Sequence, residues 1–253
     1  MSFREKTSSR RDFKGGLNAQ EQREKRTENA VSLRKQEREE QLSRRRRQTD
    51  EEETDVTSQP QITVDLNELQ RYIYQLDSPD LAVLEDSTRK IRQILSLEQN
   101  APLGELISFG GVPKLMRMLT SDRPKIVFEA AWALTNVASG TSEHTKAVVD
   151  AGAIPVFVSL LDAADDEVRD QAVWALGNIS GESPAYRDSI LSLNAMPKLL
   201  RIAHSQVKLC MLRNIAWTLS NFCRGKDPFP NFTLVCTALP TLYNTVNFDD
   251  DDV

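Results

Sequence analysis

Two landmarks recur along this chain with one shared period, and that repetition restricts the fold more than any other feature. The first is a short apolar segment around a proline. It reads Gly111-Val112-Pro113-Lys114-Leu115, then Ala153-Ile154-Pro155-Val156-Phe157, then Ala195-Met196-Pro197-Lys198-Leu199, and begins again at Ala238-Leu239-Pro240-Thr241-Leu242. The prolines stand 42, 42 and 43 residues apart. The second landmark follows each of the first three prolines by 19 or 20 residues: Trp132-Ala-Leu-Thr-Asn136, Trp174-Ala-Leu-Gly-Asn178 and Trp217-Thr-Leu-Ser-Asn221, spaced 42 and 43 apart. Two independent markers that keep one spacing identify an internal structural repeat.

The chemistry between the markers is helical. Leu115, Met118 and Leu119 share one helical face, as do Phe157, Leu160 and Leu161. Pro113, Pro155 and Pro197 suit a first helical turn, where the missing N–H has no intrahelical partner to lose. Ser121-Asp122-Arg123-Pro124 and Asp162-Ala-Ala-Asp165-Asp166 offer caps for the next helix. Ala130-Ala131-Trp132-Ala133-Leu134 is a strong helix former whose small residues let helices stack closely. Gly140 and Gly181 are expected to close the helices that carry the Trp residues. A helical repeat near 42 residues predicts an all-α fold, a right-handed armadillo-type superhelical solenoid.

The repeats are expected over 69–253, about four in number, the last incomplete. The unit over 69–110 reads as an atypical first repeat, with Thr88 to Leu95 where a Trp/Asn pair would stand. Residues 48–68, with Asp50-Glu-Glu-Glu53 followed by Thr, Ser, Gln and Pro, read as an acidic linker. The fourth repeat stops soon after Pro240, so the chain reads as truncated at its C-terminal end.

Charge is unevenly distributed. Residues 1–47 carry 15 Lys/Arg against 8 Asp/Glu, whereas residues 48–253 carry 17 against 29. A basic arm, largely extended or helical, is therefore joined to an acidic body, and each half attracts partners of the opposite sign. An acidic body disfavours nucleic acid. Cys210, Cys223 and Cys236 match no common zinc spacing and read as reduced, mostly buried thiols of an intracellular protein. No metal and no cofactor is expected. No apolar run approaches the roughly 18 residues of a membrane span. Gly-rich phosphate loops, paired-His motifs and nucleophile elbows are missing, which argues against an enzyme.

Residues i and i+4 of a helix share a face. Trp132 and Asn136 therefore form one stripe, continued by Ser139 and Gly140, while Ala131, Leu134, Val137 and Ala138 form another, apolar one. Trp174 with Asn178 and Trp217 with Asn221 repeat the arrangement. A buried Asn without partners costs about 1–3 kcal/mol. The expectation is accordingly a surface ladder, with each Asn offering a donor and an acceptor to the main chain of an extended peptide. The indoles flank Lys or Arg stems, worth about 0.5–2 kcal/mol each. Asp170 and Glu182 are placed to receive the cationic tips.

With these residues the sequence resembles the importin-α family of nuclear import adaptors from about residue 10 to the end. The arm strengthens the likeness: Arg10, Arg11, Phe13 and Lys14, then Arg23, Lys25 and Arg26, then Leu33, Arg34 and Lys35 resemble that family's importin-β-binding arm. The resemblance implies that importin-β holds these residues. It implies that Arg44, Arg45, Arg46 and Arg47 fold back on the Trp/Asn row and autoinhibit it when importin-β is absent. It implies a site for basic nuclear localisation signals at Trp132, Asn136, Trp174, Asn178, Trp217 and Asn221, with Ser139, Gly140, Thr145 and Gln171 lining it. Glu182 stands where the family usually has Asp. Cargo proteins, importin-β and nuclear pore components are the partners so implied, and cytoplasm and nucleus the locations. The alternatives from the residues alone are a general armadillo interaction scaffold or a truncated, non-transporting fragment.

Overall fold

The computed structural model describes residues 65–97, 100–225 and 227–246. Those residues form helices and connecting turns, with no strand among them. The first repeat contributes two helices, α1 (Leu66–Gln75) and α2 (Leu81–Leu95). Helix α1 begins inside the stretch assigned above to the linker. Its start is set by Asp65, whose carboxylate accepts from the Asn67 backbone N–H at 2.9 Å.

Three repeats then follow the same plan of a short first helix, a second helix and a long third one. They are α3 (Leu103–Ser108), α4 (Gly111–Met118) and α5 (Pro124–Ala138); then α6 (Ser142–Asp150), α7 (Ala153–Leu160) and α8 (Asp166–Glu182); then α9 (Pro184–Ser192), α10 (Ala195–Ala203) and α11 (Leu209–Phe222). The last unit holds α12 (Phe232–Val235), a 3₁₀ turn (Cys236–Ala238) and α13 (Leu239–Val246).

Each second helix opens on a residue in the left-handed region: Gly110 at φ 73°, Gly152 at φ 84° and Asn194 at φ 58°. Gly and Asn tolerate this conformation, and it reverses the chain tightly enough to set α4, α7 and α10 against their preceding short helices. The caps divide. Asp165 accepts from Glu167 and Val168 N–H at 2.9 and 3.0 Å, as expected of that segment. The position before α5 is Arg123, without a side-chain cap, and Pro124 opens the helix instead. Gly140 follows α5, but Gly181 does not end α8, which continues to Glu182. Ser183 and Pro184 stop it and start α9, Ser183 capping the Tyr186 N–H at 3.2 Å.

The third helices lie side by side, α2 against α5, α5 against α8 and α8 against α11. Ala130, Ala131, Ala133, Leu134 and Val137 of α5, and Ala172, Val173, Ala175 and Ile179 of α8, are fully buried between them. Leu115, Phe157 and Leu199 on the second helices fill the layer behind. Truncating any of these three to Ala leaves a cavity and costs about 2–5 kcal/mol.

Polar clasps join neighbouring repeats at every other joint. Lys114 Nζ donates to the Ile73 carbonyl at 3.0 Å and to Asp77 at 2.7 Å, and Arg117 pairs with the same carboxylate. Two repeats later, Lys198 Nζ reaches the Val158 carbonyl at 3.1 Å and Asp162 at 2.7 Å, with Arg201 on the same carboxylate. In the intervening repeat, the corresponding residues are the uncharged Val156 and Ser159. The hydrogen bond from Lys114 holds the Asp77 carboxyl below the usual carboxylate range, and that from Lys198 does the same for Asp162.

The cysteines correct an expectation. Cys210 and Cys223 are exposed and Cys236 is half-buried, all unbridged. Cys210 lies in the first turn of α11, Cys223 just past its end and Cys236 at the start of the 3₁₀ turn. Among the described residues no helix is long and apolar enough to cross a membrane.

Candidate peptide-binding surface

The long third helices bring the Trp and Asn residues into register: Trp132 and Asn136 on α5, Trp174 and Asn178 on α8, Trp217 and Asn221 on α11. Their environment differs from an open ladder. Trp132 and Trp174 are each 4 % exposed, Asn136 1 %, Asn178 0 % and Asn221 4 %; Trp217 is half-buried. The surface-ladder expectation is thereby corrected, because neighbouring third helices pack closely enough for each Asn to reach the helix before it. Asn136 Nδ2 donates to Ser96 Oγ at 3.0 Å, Asn178 Nδ2 to the Thr135 carbonyl at 3.3 Å, and Asn221 Nδ2 to the Gly177 carbonyl at 3.1 Å. Each amide donor thus staples two repeats together.

The acceptor half of two amides is left over. Asn136 Oδ1 and Asn178 Oδ1 are buried without a hydrogen-bond partner, as is Gln171 Nε2 between them in sequence. A buried polar atom without a partner is rare and costs about 1–3 kcal/mol. These three atoms lie on the third helices that carry the indoles, and together they provide two acceptors and one donor.

The indoles are held in different ways. Phe128 meets Trp132 edge-on at 5.5 Å, and the Arg92 guanidinium lies 4.6 Å from the Trp132 ring centre. Trp174 and Trp217 approach to 6.0 Å with a 42° tilt. Gly177 makes room for Trp217: a Cβ there would fall 2.2 Å from Trp217 Cζ3.

The other expected site residues separate into two groups. Ser139, Gly140 and Glu182 are half-buried at the ends of α5 and α8. Asp170 is buried and accepts from Asn214 Nδ2 at 2.6 Å. Thr145 is fully buried, and its hydroxyl donates to the Ala138 carbonyl at 3.0 Å, at the corner where α5 ends and α6 begins. That bond fixes Thr145 at the junction of α5 and α6, one turn from Ser139 and Gly140. The arm residues Arg10, Arg11, Phe13, Lys14, Arg23, Lys25, Arg26, Leu33, Arg34, Lys35 and Arg44 to Arg47 lie outside the described residues.

Three residues escaped sequence reasoning. In the first repeat Arg92 stacks on Trp132 and Ser96 accepts from Asn136, and in the fourth Asn214 orients Asp170. The i, i+4 spacing of Arg92 and Ser96 was the available signal for the first two.

Comparison with known proteins agrees with this architecture. Residues 100–139 and 141–181 match the armadillo/beta-catenin-like repeat, and residues 9–89 match the importin beta binding domain. Importin subunit alpha-3 of Arabidopsis thaliana is 44% identical over 98% of this chain and 48% of its own length. Importin subunit alpha-B of Dictyostelium discoideum is 43% identical over 95% of this chain and 47% of its own length. The chain spans about half the length of the curated relatives it matches. A designed armadillo repeat protein in complex with peptide (KR)4 superposes with a TM-score of 0.65 at 26% identity, covering 73% of this chain and 76% of that one. An importin-beta-binding segment followed by armadillo repeats, with whole-chain similarity to importin subunits alpha, places this chain in the importin-α family.

Proposed function

We propose that this chain is a nuclear import adaptor that binds basic localisation signals of cargo along its Trp/Asn row and importin-β through its N-terminal arm. The observation that carries the reading is the repeated pairing of a buried indole with an Asn whose acceptor is unpartnered, at Asn136 Oδ1 and Asn178 Oδ1 one repeat apart. An extended peptide presents main-chain N–H groups with a regular spacing, and such groups satisfy these acceptors where the side chains covering them turn aside. Lys or Arg side chains of the same peptide lay their stems along the indoles and point their charges to carboxylates such as Asp170 and Glu182. The (KR)4 ligand of the designed relative has this chemistry. The function is binding without a chemical step, shared between cytoplasm and nucleus.

The arm completes the mechanism. Arg44 to Arg47 compete with cargo for the acidic row, because a tethered ligand acts at about millimolar effective concentration. Importin-β, by holding the arm, releases the row. The test is fluorescence anisotropy with a labelled basic signal peptide on the full chain, with and without Arg45→Ala and Arg46→Ala. Tighter binding by the double variant is expected, with affinity falling as salt rises. Unchanged affinity rejects the autoinhibitory arm. No binding by a folded chain rejects cargo recognition.

A further inference from the structure

In the three repeats with a Trp, the residue three positions before it is Glu129, Gln171 or Asn214. Only the first is charged, and there the preceding repeat supplies a cation. Arg92 Nε donates to Glu129 Oε2 at 2.7 Å and Nη2 to Oε1 at 3.4 Å, with the side chains 9 % and 11 % exposed. The same guanidinium stacks 4.6 Å from the centre of Trp132. One turn later, Ser96 Oγ accepts from Asn136 and donates to the Arg92 carbonyl at 2.8 Å. Arg92 and Ser96 thus mirror the i, i+4 pairing of Trp and Asn, with a cation in place of the indole.

We propose that Arg92 is a register-setting residue of the peptide row. It holds, from within the protein, the place on Trp132 that an incoming Lys or Arg side chain would take, and so marks where the row ends. The inference rests on the peptide-binding reading above. The physical argument is twofold. An indole face already covered by a guanidinium is closed to a second cation. Glu129 neutralises Arg92 in a nearly dry setting, so the arrangement is fixed, because breaking a buried ion pair strands the remaining charge. Phe128 holds the ring from the side and keeps the stacked face in place.

The experiment measures affinity of the full chain for alternating Lys-Arg peptides of increasing length, carrying the arm changes Arg45→Ala and Arg46→Ala throughout. Three forms are compared: this parent, Arg92→Met, and Arg92→Met with Glu129→Gln, the last avoiding a stranded carboxylate. Circular dichroism and a cooperative melt establish folding. In the parent, affinity stops rising once the peptide reaches Trp132. In either folded Arg92 variant, one further basic residue gains roughly threefold to tenfold. If both variants level off at the same length as the parent, Arg92 sets no register and the proposal is overturned. If the folded parent binds no peptide, the peptide-binding reading falls and takes this inference with it.

Discussion

The Asn178 side-chain amide donates to the Thr135 carbonyl 43 residues earlier, at 3.3 Å, while its own oxygen stays buried without a partner. One residue therefore holds two repeats together and keeps an acceptor in reserve. Asn178→Asp separates these roles, since a carboxylate cannot donate and places its charge against the carbonyl. The expected result is a loss of about 1–3 kcal/mol in stability, read by urea unfolding. A stability equal to the parent would show that the staple contributes nothing.

Gly177→Ala should disturb Trp217. The added Cβ would sit 2.2 Å from Trp217 Cζ3 and 2.7 Å from Thr218 Oγ1, inside any tolerable distance. Overpacking of this kind costs about 1–3 kcal/mol. Near-ultraviolet circular dichroism should report the altered Trp174–Trp217 pairing, now at 6.0 Å. An unaltered spectrum with unaltered stability counts against close packing at this point.

The two clasp carboxylates give a signed pH dependence. Asp77 and Asp162 have folded pKa values lowered by their Lys and Arg partners. An ordinary unfolded Asp titrates near 3.9. Their contribution to stability is thus complete above that pH and disappears as pH falls through the lower folded values. Lys198→Met should move Asp162 back up toward its ordinary pKa in a carboxyl NMR titration and leave Asp77 where it is. A shift at both sites would mean the clasps are coupled.

Arg187 supports a different connection. It is fully buried, pairs with Asp188 at 2.8 Å, and donates to the carbonyls of Arg224 and of Pro228, the latter at 2.9 Å. Gly225 passes beside it at φ 111°, where a Cβ would lie 2.5 Å from Arg187 Nη1. Arg187→Met should cost about 1.5–3 kcal/mol for each charged hydrogen bond lost. Amide hydrogen exchange should rise in the segment after α11 before it rises in α8. Uniform change along the chain would contradict a local role.

The period was readable because the chain has three tryptophans, each preceded at a nearly fixed distance by a proline. Helical spacing then put Trp132 and Asn136 on one face. Spacing cannot state what a neighbouring helix places over that face, so the burial of Asn136, Asn178 and Asn221 was not legible, nor was the capture of their amides by the preceding repeat. Thr145 was singled out by resemblance, and its bond to the Ala138 carbonyl spans a corner between helices that no local spacing describes. Gly181 read as a stop because glycine often follows helices; here α8 runs through it, with Asn221 close above. Arg92 was visible as a basic residue, yet its partner Glu129 lies 37 residues away, beyond any local pattern.

The alternation of the outer clasps has a mechanical consequence. Charged clasps join the first repeat to the second and the third to the fourth, whereas the matching positions at the joint between them are the uncharged Val156 and Ser159. The stack has two grades of seam: two whose clasps acid or salt can loosen, and one whose matching positions give neither a charge to act on.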